Sequence, residues 1–161
     1  MFEVRQSAIH GNGVFATERI PAGTHICDYR GELIDANEML RRQNLRDGNA
    51  SNYVMAIDDN HFIDATEIIE NNPARFINHS CNENCEAIWD APTQTMKIIA
   101  QREIVPGEEL SFDYGFDLLN FFQHRCHCGA KNCCGYIVAK PLRGALFRKL
   151  ARHKRARGNG N

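Results

Sequence analysis

A chain of 161 residues, 43% hydrophobic and with a net charge of −1, is long enough to bury the core of one domain without covalent staples. No apolar run reaches the roughly 18 residues of a membrane span, and Met1 to Gly13 carries Glu3, Arg5 and His10, so neither anchor nor secretory leader is expected. Seven cysteines cannot all pair within one chain, which favours metal binding and a reducing, intracellular setting, with cytoplasm, nucleoid and nucleus equally open.

Short β-type runs are predicted at Gly13 to Ala16, His25 to Tyr29, Tyr53 to Ile57, His61 to Ile63, Ala87 to Trp89 and Met96 to Ala100. Turn signals part them at Pro21-Ala22-Gly23, Asp58-Asp59-Asn60, Ala91-Pro92-Thr93 and Pro106-Gly107. A helix is predicted over Ala36 to Arg46, with Met39, Leu40 and Leu45 among charged residues and Asp47-Gly48 as its stop. A second is predicted from Leu142 to Ala156, where Leu142, Leu146, Phe147 and Leu150 recur at helical spacing; Gly158 to Asn161 should fray. The fold class is mainly β with a few short helices.

The near-neutral total conceals a division. Residues 1–117 hold 9 of the 19 Lys/Arg and all 20 Asp/Glu; residues 118–161 hold the other 10 Lys/Arg and no acid. An acidic body attracts a basic protein or peptide. A basic tail attracts nucleic acid or an acidic partner, or merely solvates a helix.

Four segments carry chemistry. His10-Gly11-Asn12-Gly13 is a glycine turn whose backbone can approach a ligand closely. Arg75 to Asn84 (RFINHSCNEN) sets amide, imidazole, hydroxyl and thiol side by side at Asn78-His79-Ser80-Cys81, too polar a run for a plain core strand. Gly107 to Tyr114 (GEELSFDY) ends on a phenol. Cys126, Cys128 and Cys133 offer three thiolates at C-x-C-x4-C spacing, one short of a tetrahedral zinc set. Cys134, adjacent to Cys133, should point elsewhere, and His124, His127 and Cys85 are less attractive fourth ligands.

In this order the segments resemble the SET-domain protein lysine methyltransferases with a zinc-binding post-SET extension, from about His10 to Tyr136. The resemblance implies several small antiparallel sheets around a knot-like core, closed by a C-terminal zinc loop. It divides the chain into a SET domain (1–117), a post-SET segment (118–139) and a basic helix or tail (140–161). It implies S-adenosylmethionine as cofactor, held by His10, Gly11, Asn12, Tyr53, Asn78, His79, Tyr114 and Tyr136, the last closing over the pocket. The fourth zinc ligand is implied to be Cys81, giving one structural Zn²⁺ with Cys126, Cys128 and Cys133. Asp64, in Ile63-Asp64-Ala65, is read as a structural hydrogen-bonding residue. Two positions depart from the family: Asn12, where an aromatic residue is frequent, and Glu83, where proline is usual.

The implied reaction moves methyl groups to a lysine of a basic protein such as a histone or chromatin-like protein. A lysine of pKa near 10.4 is rarely neutral at pH 7, at a cost of about 4.6 kcal/mol, so the site must favour the neutral amine. By resemblance Tyr114 is the catalytic tyrosine and Tyr53 lines the same channel. Phe112 occupies the family's Phe/Tyr switch, which implies a di- or trimethyl product. Two other readings stand beside this one: a non-catalytic SET-like module binding basic peptides, and a zinc protein binding nucleic acid through residues 140–157.

Overall fold

The computed structural model describes residues 1–45, 53–67 and 70–158, apart from the side chains of 154–158. Arg46, Asp47-Gly48, Asn52 and residues 159–161, where the sequence predicts a helix end, its stop, a motif start and fraying, lie outside the described residues.

The strands in chain order are β1 (Phe2–Gln6), β2 (Asn12–Ala16), β3 (His25–Tyr29), β4 (Glu32–Asp35), β5 (Val54–Ala56), β6 (His61–Asp64), β7 (Asn78–His79), β8 (Cys85–Asp90), β9 (Thr95–Ala100) and β10 (Ser111–Phe112). Among the described residues two α-helices join them, α1 (Ala36–Leu45) and α2 (Arg143–Gly158). Three sheets are small and antiparallel, β1-β2, β3-β9-β8 and β4-β6-β5. The fourth departs from the expected pattern: β7 and β10 pair in parallel, Ser111 beside Asn78 and Phe112 beside His79.

Period-two patterning explains the core. Along β9, Met96, Ile98 and Ala100 are buried while their neighbours are half-buried, so one face packs inward. These join Val14, Ile20, Ile63, Ile77, Ile104 and Leu110 in the main cluster. The β8–β9 turn falls on the predicted signal, with Gln94 at φ +50° and the Thr93 hydroxyl donating to Asp90 at 2.6 Å.

Helix α1 begins on a cap: Asp35 Oδ1 accepts the Glu38 amide at 2.8 Å. Arg42 then reaches Glu38 on its own helix, Glu32 on β4 and Asp64 on β6, at 2.7, 2.6 and 3.0 Å. Buried Asp64 also accepts the Thr66 amide and hydroxyl, which is the structural role expected of it.

A second cluster gathers Cys81, Phe121, Cys126, Cys134, Val138 and Leu146, with Leu142 and Leu150 packed on it. The helical spacing is therefore met, but not by every apolar residue. Leu146 is 0% exposed and Phe147 53%, so α2 docks on the cysteine-rich lobe through one narrow stripe. No helix among the described residues is long and apolar enough to cross a membrane.

Candidate active site

The loop joining β1 to β2 is set down on a carboxylate. The Ser7 hydroxyl donates to both Glu109 oxygens, at 2.7 and 2.9 Å. Gly11 turns the chain at φ +49°, and a Cβ on Gly13 would lie 2.3 Å from Glu109 Oε1, so any side chain there would push that carboxylate off its seat. The Asn78 amide nitrogen completes the tie, donating to His10 O, Asn12 O and Glu109 Oε1 at 3.2, 3.1 and 2.8 Å. The parallel β7–β10 pairing is what brings Asn78 under this loop and Phe112 beside His79. Asn84, buried to 1%, staples the following turn by donating to Glu109 O at 2.9 Å and accepting the Ser111 amide at 2.8 Å.

A cleft of about 560 Å³ opens over this platform. His10, Gly11, Asn12, Tyr53, Asn78, His79 and Tyr114 all line it, and Phe116, His124, Arg125 and Ile137 wall its far side. A narrow pocket of about 30 Å³, bounded by Tyr29, Val54, Met55, Ile77 and Phe112, shares Tyr114, Phe116 and Arg75 with the cleft. The two cavities therefore meet at Tyr114.

The hydrogen bonds around that junction are specific. The Tyr114 hydroxyl donates to Ile77 O at 3.0 Å, and the Tyr29 hydroxyl to Tyr53 O at 2.7 Å. Burial raises the Tyr114 pKa well above 10.0, with the neighbouring Tyr53 adding to it, and burial followed by Tyr114 does the same for Tyr29. Both stay neutral phenols at ordinary pH. His79 Nδ1 accepts the Tyr114 amide at 3.2 Å, and burial pulls the imidazole pKa down to about 4, against the raising pull of Asp113.

Tyr136 lies elsewhere than the cleft wall. Its ring meets Phe121 edge-on at 4.9 Å and sits under Arg125, while its neighbour Ile137 faces the cleft. Two residues that sequence reasoning gave no role are central: Glu109, which seats the glycine loop, and Arg75, whose guanidinium stacks 4.3 Å over the Tyr53 ring. The tandem Glu108-Glu109 and the Arg75-Phe76 flank were visible as motif residues, but nothing in the sequence aimed them.

The thiols of Cys81, Cys126, Cys128 and Cys133 lie within 4.8 Å of one another. Four thiolates about 2.3 Å from a tetrahedral zinc stand about 3.8 Å apart, and Cys81 and Cys126 are separated by 3.8 Å. The donor set fits zinc. Backbone amides of Cys81 and Gly135 point at the Cys128 and Cys133 sulfurs at 3.4 Å, as thiolates require. Burial raises the Cys128 pKa, but the Cys81 and Ala130 amides outweigh it and bring it to about 7; burial pushes Cys126 up to about 12. Cys134 stands outside the four yet does not turn away: its sulfur is 3.8 Å from Cys81 and donates to Tyr136 O at 3.1 Å. His124 and His127 sit on the cleft rim, and Cys85 lies in the main core.

Glu83, where the family has proline, holds Lys140 at 2.6 Å and so ties its turn to the entry of α2.

Known proteins share this arrangement of sequence. The histone-lysine N-methyltransferase trithorax of Drosophila virilis is 39% identical over 137 residues, 83% of this chain and 4% of its own length. The H3 lysine-4 specific histone-lysine N-methyltransferase of Saccharomyces cerevisiae is 39% identical over 138 residues, 82% of this chain and 13% of that protein. The histone-lysine N-methyltransferase SETMAR of Mus musculus is 32% identical over 171 residues, 91% of this chain and 54% of that protein. The chain thus spans between 4% and about half of the length of these relatives. Residues 11–115, from the glycine loop through Tyr114, match the family described as SET domain, and the chain belongs to that family.

Proposed function

We propose that the chain is a protein-lysine N-methyltransferase that uses S-adenosylmethionine and acts on a basic protein such as a histone or chromatin-like protein. The observation that carries this reading is the meeting of a roomy cleft and a narrow pocket at one neutral phenol, Tyr114. The cofactor, when bound, supplies a methyl group activated on a sulfonium.

The cleft suits that group by its donors and acceptors: the loop backbone at His10 to Asn12, the Asn78 side-chain oxygen and the buried His79. The narrow pocket suits an alkyl-ammonium chain. A lysine threaded into it leaves part of its hydration behind, which lowers its pKa toward the reactive neutral amine. Because the Tyr114 hydroxyl spends its proton on Ile77 O, its lone pairs are free to accept an N–H from that amine. Tyr114 thereby holds the nitrogen lone pair in line with the methyl group, and alignment alone is worth several orders of magnitude in rate. Tyr53 lines the cleft beside it, its ring fixed by Arg75. Phe112 presents no hydroxyl to the pocket, so a methylated lysine, once its ammonium has given a proton to water, is free to rotate and accept a second and third methyl.

The proposed structural cofactor is one zinc ion on Cys81, Cys126, Cys128 and Cys133. The proposed organisation is a SET domain over 1–117, a post-SET lobe over 118–139 and a basic helix over 140–161. The outer side of α2 presents Arg148, Lys149, Arg152 and His153 along an open groove of about 550 Å³, which favours nucleic acid or an acidic partner there. Steep loss of such binding with salt, and its absence in Arg148→Ser/Arg152→Ser, is the expected behaviour.

Incubation of zinc-loaded protein with methyl-labelled S-adenosylmethionine and a panel of basic proteins tests the main reading. Label on lysine is expected with the wild type and at a rate lower by about 10²-fold or more with Tyr114→Phe. Peptide binding without any transfer would leave the non-catalytic module as the better account.

A further inference from the structure

Arg143, the first residue of α2, is 8% exposed and makes three hydrogen bonds to three separate stretches of chain. Its Nε donates to Val138 O at 3.1 Å, where the chain leaves the cysteine lobe. Its Nη1 donates at 2.7 Å to the carbonyl of Cys81, one of the four clustered cysteines. Its Nη2 meets Asp113 Oδ2 at 3.2 Å, one residue before Tyr114. Asp113 in turn accepts the Gly115 amide at 3.1 Å and the Lys140 amide at 2.6 Å, and its Oδ1 lies 3.6 Å from His79 Nδ1. The Cys81 carbonyl takes a second donor from Asn132 at 2.9 Å.

We propose that Arg143 is a positioning residue for the methyl transfer proposed above. The planar fork spans a gap that separates the strand end bearing Tyr114 from the loop bearing Cys81, and fixes their spacing. A lysine carries the same charge but only a single flexible ammonium, which cannot satisfy three acceptors in fixed directions. The phenol's aim therefore depends on a residue 29 positions downstream that never touches substrate or cofactor. The basic helix belongs to the catalytic lobe on its inner side, whatever its outer side binds.

The test uses full-length, zinc-loaded protein and a short lysine peptide. Wild type, Arg143→Lys, Asp113→Asn and the double variant are compared in kcat, peptide KM, zinc per chain and melting temperature. Arg19→Lys, at an exposed ion pair with Glu103, serves as the surface control. Arg143→Lys is expected to keep its zinc, melt far above the assay temperature and lose about 10- to 100-fold in kcat with little change in KM. The double variant should be no worse than the more impaired single one, because both break the same link. A wild-type kcat in Arg143→Lys, or a loss that follows zinc content or melting alone, would overturn the positioning role. Absence of turnover in the wild type itself would instead overturn the methyltransferase reading, and the positioning role with it.

Discussion

The Tyr114 amide donates to Nδ1 of His79 across 3.2 Å, so the neutral imidazole must carry its own proton on Nε2. A residue on the floor of the cleft and the residue at the mouth of the narrow pocket are thus held by one bond. The backbone of Tyr114 is fixed by His79 and its hydroxyl by Ile77, at opposite ends of the residue. Little freedom is left in the ring, as the aiming role proposed for it requires.

Removing only the hydroxyl tests that role. Tyr114→Phe keeps the ring contacts with His79 and Phe112, so cofactor affinity measured by calorimetry should survive within a few-fold. Single-turnover rates should fall about 10²-fold or more. Unchanged turnover would remove Tyr114 from the chemistry.

The pH profile follows from the direction of the tyrosine shifts. Burial raises Tyr114 and Tyr29 above 10.0, so neither ionises as the substrate lysine loses its proton. The rate should climb from pH 7 toward 10 with no descending limb from phenolate formation, which a pH-rate series at saturating cofactor will display. The same sign governs stability: the folded state retains these protons, so stability is full below about pH 10 and is lost as pH rises beyond it. Denaturant midpoints at pH 8 and 11 give the comparison.

Metal analysis should return one zinc per chain. Cys81→Ser removes the proposed ligand that comes from outside the C-terminal segment, so zinc content, melting temperature and cofactor affinity should drop together. Cys134→Ser should keep its zinc, since that thiol lies outside the mutual group of four. Full zinc occupancy in Cys81→Ser would exclude the assigned set.

Phe112→Tyr places a hydroxyl in a pocket of about 30 Å³. Mass spectrometry of a peptide driven to completion should move from di- or trimethyllysine to monomethyllysine, with the first transfer little changed. A wild type that stops at one methyl with excess cofactor would rule out Phe112 as the switch.

Leu146 is fully buried in the second cluster, so Leu146→Ala should cost about 2–5 kcal/mol in urea titrations. Exposed Phe147→Ala should cost far less. Truncation after Lys140 removes Leu146 and Arg143 together and should lower both stability and peptide turnover, which a tail serving recruitment alone would not do.

The sequence made the local features plain. Hairpin strands such as β9 follow from alternation, α1 from its pattern, and the three clustered cysteines from their spacing. Strand β1 was missed because four of its five residues are exposed and Phe2-Glu3-Val4-Arg5-Gln6 buries little. Strands β7 and β10 are two residues each and exist only because distant segments pair, which no local window can register. The resemblance placed the glycine loop, Asn78, His79 and Tyr114, and the structure gathers them in one cleft. It could not say that the Asn78 nitrogen serves the loop, nor that Ile137 rather than Tyr136 faces the cleft. Arg143 was hidden in plain view, one arginine in a basic run, since burial and partners are set by tertiary packing.

The four clustered thiols also impose an order on the protein's birth. Cys81 leaves the ribosome 45 residues ahead of Cys126, an interval of roughly 2–9 s at ordinary synthesis rates of about 5–20 residues per second. Through that interval it is a lone sulfur awaiting three partners near the other end of the chain. Capture of the proposed zinc would therefore be a finishing step: a nascent chain stalled before Cys133 holds the glycine loop, Asn78, His79 and Tyr114 but lacks the fourth thiol.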